Sequence, residues 1–226
     1  MKLKELMMNI ICRFIFVLIA LMPVELNAKV EKATMPTWLD LEINALGSKL
    51  SIEETEKLYL AALSEAKQSK QLDGYPVVSV LTSRAFFRLN SNDLSGAESD
   101  YLSALDLAEK SLNYIWTERL AEKDRIGYLP AYSDPSEERQ GKYHDIANIH
   151  NWLAEVNFRK GKSKVAQDHL DAVFDLITNK LQPNGATVIE ISCYRLQARI
   201  LEKRGKFKEA QVWRDKADRL DDLLDR

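Results

Sequence analysis

Three stretches of the chain set alanine, a turn residue and a second alanine at one fixed spacing: Ala85, Asn92 and Ala97; Ala154, Gly161 and Ala166; Ala198, Gly205 and Ala210. Around the middle set, WLAEVNFRKGKSKVAQDHLDAV reads as helix, short turn, helix. Gly161 breaks the pattern because glycine readily takes the backbone angles that end a helix, and asparagine stands in for it at Asn92. An alanine where two helices meet lets their axes approach to the short end of the usual 8–10 Å. The spacing therefore predicts a series of tightly packed helical hairpins. Only eight glycines and six prolines interrupt 226 residues, which fits an all-helical protein.

Local signals place the helices. Thr37 can cap a helix from Trp38, with Asp40 in its first turn. Ser51 and Glu54 form the pattern of a capping box for a second helix over residues 52–70. Asp73-Gly74 ends that helix, and Pro76 suits the first turn of a third over 77–89. From Leu94 the face Ala97, Tyr101, Ala104, Leu105 and Ala108 continues through Leu112, Ile115, Trp116, Leu120 and Ala121, so this helix can reach about 30 residues. Asp134-Pro135-Ser136-Glu137 starts a fifth helix to about 160; later helices cover 163–181, 187–204 and 207–224. Leu220, Leu223 and Leu224 among aspartates mark the last as a capping helix with a solvated outer face.

The frame resembles the tetratricopeptide repeat, a helix-turn-helix unit that stacks into a solenoid. A third small position holds Ala104, Val173 and Ala217, and a large residue on the second helix is Tyr101, Leu170 and then Arg214. Arg214 departs from the aromatic that family prefers, and Arg84, Arg88, Asn157 and Gln197 stand where it carries large apolar residues. The first pair is degenerate, with Thr55 in an alanine position. The resemblance implies an all-α, right-handed helical-hairpin solenoid of about four helix pairs over 37–226. It also implies a concave groove, lined by the first helix of each unit, that binds peptides or proteins. Groove positions here are Asn148, Asn151, Glu155, Arg159, Arg195 and Arg199. Three arginines could hold an acidic segment or a carboxyl terminus through charge-assisted forks. The plainer alternative is a solvated face with local pairs such as Arg199 to Glu202.

The N-terminus has the parts of a secretory signal: Lys2, Lys4 and Arg13, the apolar run 14–22, Pro23, and the small Ala28 at a cleavage point. That run is shorter than the roughly 20 residues a membrane span needs. Cleavage after Ala28 leaves 29–36 as a flexible lead-in and a mature protein without a stable membrane span; retention as an anchor is the other possibility. Cleavage also removes Cys12, so Cys193 cannot form an internal disulfide and reads as a buried small hydrophobe.

Chemistry-bearing motifs are sparse. His144 and His150 are six apart, on different helix faces, and with His169 they do not make a zinc-ligand pattern. The sequence shows no glycine-rich phosphate loop or nucleophile elbow, so no cofactor and no metal is expected. A net charge of −2 and a pI of 6.0 weigh against general nucleic-acid binding. The aromatic loop with Tyr128, Leu129, Pro130 and Tyr132 either folds onto its scaffold or forms a second contact patch. The expectation is a non-catalytic, periplasmic or secreted scaffold for a protein or peptide partner. A structural subunit of an envelope assembly, or an enzyme with an unrecognised helical site, are the alternatives.

Overall fold

The computed structural model describes residues 37–47, 50–68, 74–114, 135–181 and 187–224, all within one compact unit, 35–226. The expected signal segment and lead-in, the loop with Tyr128–Tyr132 and the expected continuation of the fourth helix past Tyr114 lie outside the described residues. Those described form eight helices and no strand: α1 Thr37–Gly47, α2 Ile52–Gln68, α3 Tyr75–Asn90, α4 Leu94–Tyr114, α5 Pro135–Arg159, α6 Ser163–Asn179, α7 Thr187–Lys203 and α8 Phe207–Leu224.

The local signals act as their chemistry dictates. The Ser51 amide donates to Glu54 Oε2 at 3.0 Å and the Glu54 amide donates back to Ser51 Oγ at 3.3 Å, closing the capping box. The three turn residues of the frame share one conformation, with φ of 64° at Asn92, 78° at Gly161 and 76° at Gly205. Each turn closes with the same crossed pair of backbone bonds. The turn residue's amide reaches back three residues, Gly161 to Phe158 at 3.0 Å, and the next amide five, Lys162 to Asn157 at 2.9 Å. This is the Schellman closure, which satisfies the last carbonyls of the first helix.

Packing follows the frame. α1/α2, α3/α4, α5/α6 and α7/α8 are hairpins; each second helix touches the first helix of the next pair, and α1, α3, α5 and α7 touch in succession. This is the all-α, helix-pair stacking of a tetratricopeptide-like solenoid. Ala85, Ala97, Ala154, Ala166, Ala198 and Ala210 are all buried at the close approaches. Thr55 is buried at its equivalent position, so the degenerate first pair packs as the others do.

Each departure from the apolar pattern on the first helices finds at least one hydrogen-bond partner, although Asn157 Oδ1 stays buried and unpaired. Arg84, buried on α3, donates to Asp100 of α4 through Nε at 2.8 Å and Nη2 at 2.6 Å. Arg88 joins the same carboxylate at 2.9 Å and reaches Glu56 of α2 at 2.7 Å, so one network ties three helices. Gln197 accepts from Gln167 at 2.8 Å, and Asn157 donates to the Leu153 carbonyl at 2.9 Å.

The last hairpin closes the apolar layer. Leu170, Phe174 and Ile177 of α6 pack against Ile189, Cys193 and Leu196 of α7. One repeat of 44 residues later, α8 carries Arg214, Asp218 and Asp221 at those places. A face with three charged groups gains nothing from burial against a further hairpin.

Candidate functional site

The predicted site residues fall along the adjoining first helices α5 and α7. Asn148, Asn151, Glu155 and Arg159 follow one face of α5; Arg195 and Arg199 are one turn apart on α7. Asn148 is half-buried. Asn151 is buried and works as a rivet: its Nδ2 donates to Ser192 Oγ at 3.0 Å and its Oδ1 accepts from Cys193 Sγ at 3.3 Å. It is therefore committed to the α5–α7 contact.

Glu155 is the centre of the site. Its side chain is 10% exposed and accepts from Arg159 Nε at 2.6 Å and from Arg199 Nη1 at 2.7 Å. The Arg199 guanidinium also lies 4.7 Å from the Phe158 ring centroid, with Lys203 Nζ at 5.3 Å from the same ring. Two guanidinium groups on one carboxylate leave one positive charge in surplus. Both arginine side chains stay open to solvent, at 41% and 47%. The Arg159 Nη2 and Arg199 Nε donate to no acceptor among the described residues.

Two expectations change here. Arg195 does not join the other arginines: it donates to Asp221 of α8 at 2.5 Å and is neutralised there. The local pair Arg199–Glu202 does not form either, because Glu202 is taken by Arg214 and Arg199 turns to Glu155. Helix-period reasoning finds neighbours three or four residues apart. These partners instead lie on other helices, 44 and 26 residues away.

Sequence reasoning also missed a histidine pair. His150 Nδ1 of α5 lies 3.0 Å from His169 Nδ1 of α6, so one ring donates and the other accepts. Burial, with the neighbouring His169 adding to it, pushes the His150 pKa down to about 4. Burial also lowers that of His169, opposed by Asp168 and Glu98. The frame held the signal: Leu81 and Asp100, His150 and His169, and Tyr194 and Trp213 occupy the same two positions in successive units. Tyr194 and Trp213 also meet, with ring centroids 5.3 Å apart. Among the described residues no group of three or more histidine, cysteine or acidic side chains is placed to hold a metal ion. Cys193 is fully buried, and desolvation raises its thiol pKa far above the usual range, so it is not poised as a nucleophile. Among the described residues no helix is long and apolar enough to cross a membrane.

No protein-family model matches this sequence, and no curated protein matches it. Among solved structures it is similar to BtubC (BKLC) from P. vanneervenii, 15% identical over 76% of this chain and 74% of that one, with a TM-score of 0.35. It is similar also to MamA MSR-1 C2, 14% identical over 83% of this chain and 96% of that one, with a TM-score of 0.31. Likenesses that weak carry no argument about function, and the fold stands on the helix packing described above.

Proposed function

We propose that this protein is an exported, non-catalytic helical-repeat scaffold that takes a protein or peptide partner along the inner face of its first helices. The observation that supports the binding face is the Arg159–Glu155–Arg199 cluster, a surplus positive charge with unused donors on a solvent-open surface. Glu155 pre-orients both guanidinium groups, so a ligand carboxylate meets donors whose ordering cost has been reduced. The ligand this favours is an acidic segment or a free carboxyl terminus. Export rests on the N-terminal signal pattern, and the compartment it points to is periplasmic or extracellular.

The binding test is titration of peptides ending in a free carboxylate, and of their amidated forms, at two salt concentrations. Arg159→Ala with Arg199→Ala should weaken binding of the free acid about tenfold or more and flatten its salt dependence. Glu155→Gln removes the competing negative charge while its amide oxygen can still accept from a guanidinium, so it should preserve or tighten binding. Equal affinity of wild type and the double variant at both salts removes the cluster from the site. For export, Leu18→Arg interrupts the apolar run and should retain full-length precursor. Normal processing to a start near Lys29 in that variant refutes the signal reading.

A further inference from the structure

Two turns of the solenoid carry a charge pattern that turn geometry does not ask for. The α5–α6 turn reads Arg159, Lys160, Gly161, Lys162, Ser163, Lys164; the α7–α8 turn reads Lys203, Arg204, Gly205, Lys206, Phe207, Lys208. Position for position, both are two cations, glycine, lysine, a variable residue, lysine. The α3–α4 turn makes the same backbone closure with Asn90, Ser91, Asn92, Asp93, Leu94 and Ser95, so the lysines are not needed to form it. Half of the cations are placed against the helices themselves. Lys162 and Lys206 precede α6 and α8, and Lys164 and Lys208 sit in their first turns, where the helix dipole disfavours positive charge. Lys162 stands at the N-cap of α6 and makes no side-chain capping hydrogen bond there.

The two turns lie side by side, with Arg204 Nη2 3.4 Å from the Ser163 carbonyl. Eight cations thus share one edge. Three carboxylates bond to them: Glu155 to Arg159, Glu98 to Lys160 and Lys162, and Glu209 to Lys206. Among the described residues Lys164, Lys203, Arg204 and Lys208 have no carboxylate partner, and the edge keeps a surplus of about five positive charges in a protein of net charge −2. At its tip Phe207 is 68% exposed between Lys206 and Lys208, and Val165, next to Lys164, is 40% exposed.

We propose that this double-turn edge docks on a bilayer surface rich in anionic phospholipid, with Phe207 seated in the headgroup layer and the lysines on the phosphates. An anionic protein or nucleic acid would satisfy the charge, but an exposed phenylalanine gains nothing from a purely polar partner. The membrane interface rewards both an apolar tip and a cationic rim. Six of the eight cations are lysines, compact charges suited to a diffuse negative surface, where arginine forks suit fixed bidentate recognition. Stacking on bases would call for several aromatic rings on this edge, and it offers Phe207 and the cation-covered Phe158. The edge adjoins the partner-binding face and shares Arg159 with it, but the substitutions that test it leave Arg159, Glu155 and Arg199 in place.

The test floats the full-length protein with vesicles of phosphatidylglycerol mixed into phosphatidylcholine, and with phosphatidylcholine alone. The N-terminal apolar run is common to all variants, so differences between them belong to the edge. Lys164→Gln, Lys203→Gln and Lys208→Gln together should weaken binding to the anionic vesicles roughly a hundredfold, at about 1 kcal/mol per cation. Phe207→Ser should weaken it without changing its salt dependence. A second readout places an environment-sensitive thiol label at Phe207→Cys in a Cys12→Ser background, where buried Cys193 stays unlabelled. Its emission should shift to the blue with anionic vesicles and not with neutral ones. An unshifted label on vesicle-bound protein, or a triple variant that floats like wild type, overturns the proposal. So does edge-dependent binding of polyglutamate or an oligonucleotide by a protein that ignores the vesicles.

Discussion

Asp100→Ala removes the acceptor at the centre of the α2–α3–α4 network, and the geometry sets the size of the effect. Asp100 accepts three N–H groups from two arginines, and its side chain is 6% exposed. Arg88 keeps Glu56, at 2.7 and 3.0 Å, after the substitution. Arg84, 10% exposed, has Asp100 as its bonded carboxylate and keeps none. Breaking a buried pair from one side costs about 3–5 kcal/mol, chiefly because a charge is left buried and unpaired. The surviving Arg88–Glu56 pair argues for the lower part of that range, about 3–4 kcal/mol. With a urea slope of about 2 kcal/mol per molar, the unfolding midpoint should fall by roughly 1.5–2 M, read by loss of helical circular dichroism. The next unit carries Leu153 and His169 at the positions of Arg84 and Asp100, so the site tolerates an uncharged pair. Arg84→Leu with Asp100→Leu should therefore recover most of the loss, since well-packed apolar groups replace buried ion pairs at little cost. A loss under about 1 kcal/mol for Asp100→Ala, or a double variant worse than the single, would refute the argument that an uncompensated buried arginine sets the cost.

Two further predictions concern the frame and the histidines. Ala166 is fully buried, and Ala166→Leu should cost roughly 1–3 kcal/mol by overpacking, whereas Ala172→Leu, half-buried on the same helix, should cost little; equal unfolding midpoints would count against the frame. His150 stays neutral in the fold while the unfolded ring takes a proton near pH 6.5, so stability is flat above that pH and declines as pH falls from about 6.5 towards 4. The full span corresponds to at most about 3 kcal/mol, and less for a half-buried ring. Unfolding curves between pH 7 and 4.5 should show His150→Gln losing most of that acid limb; an identical pH dependence in the variant would sink the assignment.

What the sequence by itself determined is local or periodic. The hairpins, the three left-handed turn residues, the Ser51–Glu54 box and the charged last helix all follow from residue chemistry within a few positions or from a fixed repeat spacing. Helix period and capping chemistry act over three to five residues, so one strand of letters contains them. The tertiary structure decided everything that depends on how one helix is rotated against another. It turned Arg195 to Asp221, gathered Arg159 and Arg199 on Glu155, set His150 against His169, and matched buried Arg84 with Asp100. It also laid two basic turns on one edge although the protein as a whole is slightly acidic. A side chain's partner across a helix interface is fixed by the packing angle and the sizes of the alanines between the helices, and those are properties of the assembled solenoid, not of either segment alone.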